Sequence, residues 1–320
     1  MPTARAGLLG SLIVLVAATL FGALGVTSRF AYDAGLQPFA FVTWRAGVGA
    51  LAIVLVVAAT SRQGRGWGSL GSATPMARRA LLLAVFLAAG VNLSMFLAFE
   101  RTTIALALLG FYTYPAMVAA ASSLLGRERL DLQRLLALAL ALVGMAAVVL
   151  GGLGSGSAVR LDALGIALGL AAAACQTMFV LTSRGFASVP ANVAMGAILG
   201  GSALVAAIVS VASGGIAALT MPLGDPSLLV LLIGVGLFAA ALPSVLFLIG
   251  IRRIGAVRTG ILMLFEPVVG VALAALFLAE GLAPLQVLGG ATILLAALLV
   301  QRGSAGREEI PAVVPVPGGP

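Results

Sequence analysis

The sequence predicts an all-α integral membrane protein of about ten transmembrane helices, arranged as two inverted repeats of five. Three observations support this. Of its 320 residues, 62% are hydrophobic and only 9% are charged, whereas soluble domains carry about 25% charged residues. The apolar residues fall into runs of about 20, which is the length that a helix needs to cross a bilayer. Finally, one pattern of proline and glutamate occurs once in each half of the chain.

The apolar runs are joined by short connections, of which residues 60–77 form the longest. Arg5 precedes the first run, as in a signal peptide, but this run is long for a signal sequence and lacks a small-x-small exit. We therefore expect it to remain as the first span. The ten predicted spans are 8–28, 38–59, 79–99, 102–124, 133–151, 161–182, 190–212, 227–250, 255–279 and 283–301.

The distribution of arginine predicts the orientation. All 18 basic residues are arginines. With the N-terminus inside, 14 of them fall in inner segments and three in outer segments (Arg29, Arg101 and Arg160), while Arg45 lies within a span. Cytoplasmic segments of membrane proteins are rich in Lys and Arg. We therefore expect cytoplasmic termini in the inner (plasma) membrane. The scattered charges do not favour nucleic-acid binding.

The two halves of the chain share a pattern. A shift of 152 residues superposes Pro115 on Pro267 and Glu128 on Glu280. Proline and glutamate are scarce here, so an equal spacing of thirteen residues in both copies is informative. Each copy holds five spans, and an odd number makes the second copy insert upside down, as in many transporters. The predicted units are repeat 1 at 8–151, repeat 2 at 161–301 and a Pro- and Gly-rich cytoplasmic tail at 302–320, expected to be disordered.

Two charged residues lie within spans, where a charge costs about 2.5–3.5 kcal/mol on insertion scales and normally faces a cavity or a partner. Glu266 lies near the middle of span 9 and could bind a substrate amine or exchange a proton. It could also satisfy the backbone that Pro267 leaves distorted. Arg45, about 10 Å below the outer end of span 2, could hold a carboxylate. Alternatively, it could pair with Glu100 or extend to the lipid headgroups.

Other polar residues in the spans have two interpretations each. Tyr112 and Tyr114 precede Pro115, the repeat counterpart of Pro267, and could line a cavity or pack in the core. Glu128 and Glu280 lie at helix ends, where we expect them to cap or anchor the next segment. Three uncharged residues could form interhelical hydrogen bonds or line a cavity. These are Asn92, Gln176 and Ser244.

Several chemistries are excluded. The chain has no histidine, and its single cysteine, Cys175, cannot form an internal disulfide. Nucleotide-binding, dithiol, zinc-protease and nucleophile-elbow motifs are absent from the sequence. We therefore expect no cofactor, and no ATP hydrolysis by the chain itself. Transport would use a gradient of the substrate, of protons or of another coupling ion.

Four segments carry a resemblance to a known family. They are FGALGVTSRF (21–30), FVTWRAGVGALAIVL (41–55), YTYPAMVAAASSLLGRERLDLQRLLALALALVG (112–144) and FEPVVGVALAALFLAEGLAPLQVLGGATILLAALL (265–299). These segments resemble the EamA domain of the drug/metabolite transporter superfamily, over nearly the whole chain. Arg127 and Ala279 stand where that family often has a glycine before the terminal glutamate.

The resemblance implies a ten-span carrier that moves small metabolites, often amino acids, by alternating access. It also implies that spans 4 and 9 border the central cavity, with spans 1, 3, 6 and 8 helping to line it. We expect an exporter with a small-molecule substrate, surrounded by membrane lipid, and a homo-oligomer is compatible with the sequence. A lipid-modifying membrane enzyme and a non-transporting scaffold are the alternative functions.

Overall fold

The computed structural model describes residues 2–60, 66–128, 130–152, 160–277 and 281–302. Glu280 and nearly all of the predicted tail lie outside these residues. All regular structure in the described ranges is helical. The helices are α1 Pro2–Gly22, α2 Leu24–Asp33, α3 Pro38–Thr60, α4 Gly68–Gly71, α5 Pro75–Arg101, α6 Ile104–Phe111, α7 Tyr114–Leu124, α8 Leu132–Gly151, α9 Ala163–Thr182, α10 Ala191–Thr220, α11 Pro226–Gly236, α12 Leu242–Ile254, α13 Ala256–Met263, α14 Glu266–Phe277 and α15 Pro284–Arg302.

These helices form membrane spans, several of them built from two helices in succession. In the described part of the chain, nine segments are long and apolar enough to cross a membrane, and Pro284–Val300 is a shorter apolar helix. The predicted all-helical membrane class is therefore confirmed. The nine long spans are Gly7–Asp33, Pro38–Thr60, Pro75–Arg101, Leu106–Leu124, Leu132–Gly151, Ala163–Phe186, Ala191–Gly224, Pro226–Ile254 and Ala256–Phe277.

Span 7 differs most from its expected length. The sequence predicts its end at residue 212, but α10 continues to Thr220. Gly215 has φ 72° and ψ 176° inside this helix, a conformation that glycine adopts at little steric cost. The extension is held at its end, because the indole nitrogen of Trp44 in span 2 donates to the Leu219 carbonyl at 2.9 Å.

The helix packing repeats itself across the molecule. Span 1 packs on span 8 through α1 and α12, and its counterpart, span 6, packs on span 3 through α9 and α5. The equivalent spans 2 and 7 pack on each other, as do the equivalent spans 5 and 10. This exchange of partners is what a twofold relation between two five-span repeats produces. It agrees with the predicted inverted-repeat architecture.

Spans 4 and 9 are each broken at the same relative place. Span 4 is interrupted at Tyr112 and Thr113, and span 9 at Leu264 and Phe265. A proline, Pro115 or Pro267, follows at the second position of the next helix, where its missing N–H leaves no hydrogen bond unmade. The kink expected from Pro267 is therefore a full break between two half-helices.

Span 1 breaks beside the break in span 9. It is interrupted at Ala23, between α1 and α2. A Cβ atom at the neighbouring Gly22 would lie 2.9 Å from the carbonyl oxygen of Glu266 and 2.8 Å from Cβ of Val269. Glycine at position 22 therefore allows the backbones of spans 1 and 9 to approach closely at the level of Glu266.

Glu128 anchors the start of span 9. Its carboxylate accepts hydrogen bonds from the backbone N–H groups of Ala256, at 2.8 Å, and Val257, at 3.4 Å. It also pairs with Arg184 at 3.3 Å. The preceding Gly255 has φ 84°, and a Cβ there would lie 3.0 Å from Glu128 Oε1. A loop of the first repeat thus caps a helix of the second.

The contact between spans 5 and 10 generates a stability prediction. A Cβ at Gly289 would lie 2.5 Å from the Gly144 carbonyl oxygen and 2.7 Å from the Val148 nitrogen. We expect Gly289→Ala to lower the unfolding free energy by about 1–3 kcal/mol, because the two backbones must move apart. Gly234→Ala is the matched control, since its Cβ meets no atom within 4 Å. Thermal unfolding in detergent measures both, and equal melting temperatures would contradict the prediction.

The Glu128 anchor generates a second stability prediction. Glu128→Ala removes both hydrogen bonds to the start of α13, and we expect a loss of about 1 kcal/mol, as for other helix caps. Arg184→Ala is the control, because it removes only the ion pair with Glu128, and the Arg184 side chain is 49% exposed. Exposed ion pairs contribute about 0–1 kcal/mol, so this control should be the milder change in the same unfolding assay. A larger loss from Arg184→Ala would refute the capping role.

Candidate functional site

The breaks in spans 4 and 9 place two equivalent residues in the middle of the bundle. Tyr114 is the first residue of α7, and Glu266 is the first residue of α14. Glu266 is partly buried. A carboxylate at this position also lies at a helix N-terminus, where the helix dipole favours negative charge.

The tyrosines of span 4 surround Glu266. Tyr112 lies beside Glu266 and interacts with its carboxylate. Tyr114 is close enough to interact with the same charge. The two tyrosine residues are only 4% and 3% exposed, and both rings pack against Phe111, with centroids 5.4 Å away in each case. Both tyrosines therefore belong to the hydrophobic core, which is one of the two expectations, and their lining of a cavity stays a prediction.

Arg45 points into the bundle from span 2. Its Nη2 donates to Oδ1 of Asn92 at 2.9 Å, whereas Glu100 is exposed. Asn92 is itself oriented, because its Nδ2 donates to the Ala88 carbonyl at 2.8 Å. The Arg45 Nε is buried without a hydrogen-bond partner. Arg45 thus neither pairs with Glu100 nor extends to the lipid headgroups in this structure. Its guanidinium keeps N–H groups inside the protein that can still donate hydrogen bonds.

Arg45 on span 2 and Glu266 on span 9 carry opposite charges within the bundle. These charges interact electrostatically. Arg45 is oriented by its hydrogen bond to Asn92, and no described hydrogen bond joins it to Glu266.

Tyr32 is the residue of this site that the sequence analysis missed. It lies on α2, partly buried, and interacts electrostatically with Arg45. Its ring contacts Phe41 edge-on, at a centroid distance of 5.7 Å. The chain contains three tyrosines in all, and each of them interacts with Arg45 or Glu266. Because tyrosine is so scarce, each tyrosine could have been treated as a candidate site residue. Tyr32, however, lies beyond the predicted end of span 1 and was therefore expected to be outside the membrane.

Two of the predicted residues lie elsewhere in the bundle. Gln176 is partly buried on α9, and Ser244 is 7% exposed on α12. The described contacts do not bring either one to Arg45 or Glu266. Ser244 follows a π-helical turn, Leu237–Ala241, and Pro243. Such turns are frequent at functional sites, but here the turn packs against span 2 at Gly49.

An apolar crevice opens beside Asn92. It lies between α3, α5 and α10, and Phe39, Val42 and Leu93 form part of its wall. Phe39 also contacts Phe96 across the gap between spans 2 and 3, with ring centroids 5.9 Å apart. The polar groups of the site therefore adjoin an apolar surface. Among the described residues there is no group of three or more His, Cys, Asp or Glu side chains that could hold a metal ion.

Comparisons with known proteins identify the family and the fold of the chain. The profile of the EamA-like transporter family matches residues 8–150 and 163–302. Two threonine/homoserine exporters named RhtA, from Salmonella typhimurium strains SL1344 and LT2, are 33% identical over 145 residues. That match covers 43% of this chain and 45% of each relative, so the chain matches less than half the length of these curated proteins.

A solved crystal structure has the same fold. It superposes with a TM-score of 0.76, covering 92% of this chain and 98% of the other chain, at 18% sequence identity. That likeness concerns the fold alone. Because the family profile matches both halves and nearly the whole sequence, the chain belongs to the EamA-like transporter family.

Proposed function

We propose that this membrane transporter is a secondary carrier that exports amino acids or closely related metabolites by alternating access through its central cavity. The observation that carries the proposal is a pair of oppositely charged residues within spans, Arg45 and Glu266. Charges within a span are costly and mark substrate or ion pathways. One positive and one negative side chain suit a substrate that carries both an amine and a carboxylate.

Each charge has a role in this proposal. The Arg45 guanidinium binds the substrate carboxylate, with its Nε and remaining donors free to do so. The Glu266 carboxylate binds the substrate ammonium. Tyr112 orients Glu266, and Asn92 orients Arg45. Tyr32 and Tyr114 form aromatic walls that could also face a bound ammonium. In contrast, Gln176 and Ser244 would line the path away from these charges.

The relatives guide the choice of substrate. The two matching proteins are exporters of threonine and homoserine, both of which are small zwitterions. We therefore propose threonine, homoserine and amino acids of similar size as the first candidates. Two energy sources fit a carrier of this kind, namely the substrate's own gradient and a coupled ion such as the proton.

The broken spans support alternating access. Half-helices joined at an unwound turn beside a midplane site are common in secondary transporters. Here the breaks of spans 1, 4 and 9 lie around Glu266, and the start of span 9 is tied to the other repeat by Glu128. We propose that rearrangement of the repeats exposes Glu266 to each side of the membrane in turn.

The proposed location is the cell inner (plasma) membrane, with both termini in the cytoplasm. This orientation rests on the arginine bias of the connecting segments. It places Glu128, Arg184 and the start of span 9 on the cytoplasmic side. It also places the outer ends of spans 2 and 3, with Phe39, on the opposite side.

Flux measurement tests the proposal. Purified protein in liposomes should exchange labelled threonine or homoserine across the bilayer, and Glu266→Gln should reduce the rate at least about tenfold, because a charge-assisted hydrogen bond to the ammonium is weakened. Glu100→Gln is the matched control, because it makes the same chemical change at an exposed residue outside the proposed site. Full activity in Glu266→Gln, or no flux of any amino acid by the unaltered protein, would refute the proposal.

The tyrosine hydroxyls provide a finer test. Tyr112→Phe removes the hydroxyl that we propose donates a hydrogen bond to Glu266. We expect about a tenfold lower kcat/KM for transport, because hydrogen bonds to charged groups contribute about 1.5–3 kcal/mol. Tyr114→Phe keeps that hydrogen bond and should have the smaller effect. The reverse order of the two variants would contradict the assigned orientation of Glu266.

Solvent accessibility tests alternating access. A variant with Cys175→Ala and Glu266→Cys carries one thiol at the proposed site. We expect membrane-impermeant thiol reagents to label it from either side of the bilayer, with the labelled side depending on the substrate gradient. Labelling from one side under every gradient would indicate a static bundle, such as a scaffold or a one-sided enzyme.

A further inference from the structure

We propose that Arg252 and Glu128 close a gate at the cytoplasmic end of the carrier, and that both contacts break in each transport cycle when the site opens to the cytoplasm. This inference rests on the proposed alternating access and orientation. The observation that carries it is that each side chain hydrogen-bonds to backbone groups across the boundary between two groups of spans.

Eight of the spans divide into two groups by their packing. In the first group, span 1 packs on spans 8 and 9, and span 8 packs on span 2. In the second group, the equivalent span 6 packs on spans 3 and 4, and span 3 packs on span 7. The groups meet along spans 2 and 7, while spans 5 and 10 pack on each other beside them. Repeat-related groups of this kind move against each other in secondary transporters.

Arg252 joins the two groups from span 8. Its Nη1 donates to the Val189 carbonyl at 2.9 Å, and its Nη2 donates to the Phe186 carbonyl at 3.2 Å. Both carbonyls belong to the second group, at the end of span 6 and just before span 7. The planar fork of a guanidinium suits two acceptors at once. Because Arg252 is itself exposed, water can replace both acceptors when the groups separate, so this contact can break and re-form in every cycle.

Glu128 joins the groups in the opposite direction. It follows span 4 of the second group and accepts from the N–H groups of Ala256 and Val257, which begin span 9 of the first group. Its ion pair with Arg184 stays within the second group, because Arg184 lies at the end of span 6. The carboxylate is therefore held by its own group while it binds the other one. The start of α13 must leave this carboxylate for the cytoplasmic end to open.

The half-helices behind these contacts are packed closely together. On the cytoplasmic side of the two breaks, α7 packs on α13, and a Cβ at Gly260 would lie 3.3 Å from Cβ of Pro115. Seven of the eight residues of α13 are buried, whereas none of the twelve described residues of α14, on the outer side of the break, is buried. Span 9 is therefore closed in by protein toward the cytoplasm and packed more loosely toward the outside.

The outer end of the molecule has a different residue at the position equivalent to Arg252. The shift of 152 residues that relates the repeats places Glu100, at the outer end of span 3, on Arg252. Glu100 is exposed, and an ionised carboxylate has no hydrogen to donate to a carbonyl. The second repeat thus supplies a cytoplasmic contact that the first repeat does not reproduce outside. For this reason the unloaded carrier rests closed to the cytoplasm.

Thiol labelling tests the gate without any substrate. In the full-length protein with Cys175→Ala, Met263→Cys places a reporter at the end of α13, where Met263 is only 4% exposed. An impermeant maleimide added from the cytoplasmic side should react at least about threefold faster in Arg252→Ala, because an exposed ionic contact that favours the closed state is lost. Arg252→Lys, which keeps the charge but not the fork, should have an intermediate effect. Arg253→Ala is the matched control, since Arg253 is also exposed and, in the described part of the chain, bonds to nothing in the second group.

A reversible crosslink provides the second arm. Pro115→Cys with Gly260→Cys, also in Cys175→Ala, places thiols on spans 4 and 9, where the Cβ atoms would lie 3.3 Å apart, close to the distance of about 3.5–4.5 Å in disulfides. Oxidation should abolish threonine flux and reduction should restore it, which distinguishes a locked gate from a folding defect. Gly90→Cys is the control, because its Cβ would lie 3.9 Å from Cβ of the native Cys175. That crosslink joins spans 3 and 6 within one group and should leave flux unchanged.

The outcomes keep the gate apart from the export function. Unchanged cytoplasmic labelling in a folded Arg252→Ala, or equal acceleration in Arg253→Ala, would overturn the gate and leave amino-acid export standing. Full flux in the crosslinked pair of spans 4 and 9 would do the same. Melting temperatures in detergent identify any variant that does not fold. If the unaltered protein carries no amino acid, export is overturned, while the labelling arm still decides the gate.

Discussion

The structure depends on one constraint, that a backbone group in a lipid bilayer must find its hydrogen-bond partner within the protein. An unbroken helix satisfies it locally, which is why nearly the whole chain is helical. The breaks of spans 4 and 9 are tolerated because they face the interior of the bundle. At the break in span 9, the N–H groups of Leu264 and Phe265 bond to the carbonyls of Ile261 and Leu262 in a tighter turn. The irregular backbone therefore lies in the buried interior of the bundle.

The same constraint applies to side chains. Glu266 begins a half-helix created by the break, and it interacts with Tyr112 on span 4 and with Arg45 on span 2. Asn92 then fixes Arg45 through an amide that is itself fixed by the backbone of span 3. Spans 2, 3, 4 and 9 thus meet through polar side chains at one level of the bundle. Elsewhere they pack through small residues and apolar surface.

Much of this fold was predictable from the sequence, because the features that define it are local. The length of an apolar run determines a span, and a proline determines where a span breaks. The end of span 7 was misjudged because the contact of Trp44 with Leu219 holds the extension, and that contact joins residues 175 positions apart. Similarly, Asn92 was recognised as a polar residue in a span, but its pairing with Arg45 depends on how spans 2 and 3 pack. Tyr32 was missed for the same reason.

The twofold relation between the repeats separates structural from functional residues. Pro115 and Pro267 are equivalent, and both serve the breaks that the fold repeats. Tyr114 and Glu266 are also equivalent in position, yet one is neutral and the other is charged. A symmetric fold with acids at both positions would place two like charges in one cavity, each raising the cost of the other. With one acid and one arginine from a different span, the two charges offset each other. The departure from symmetry at position 266 is therefore compatible with the proposed substrate, which carries one amine and one carboxylate.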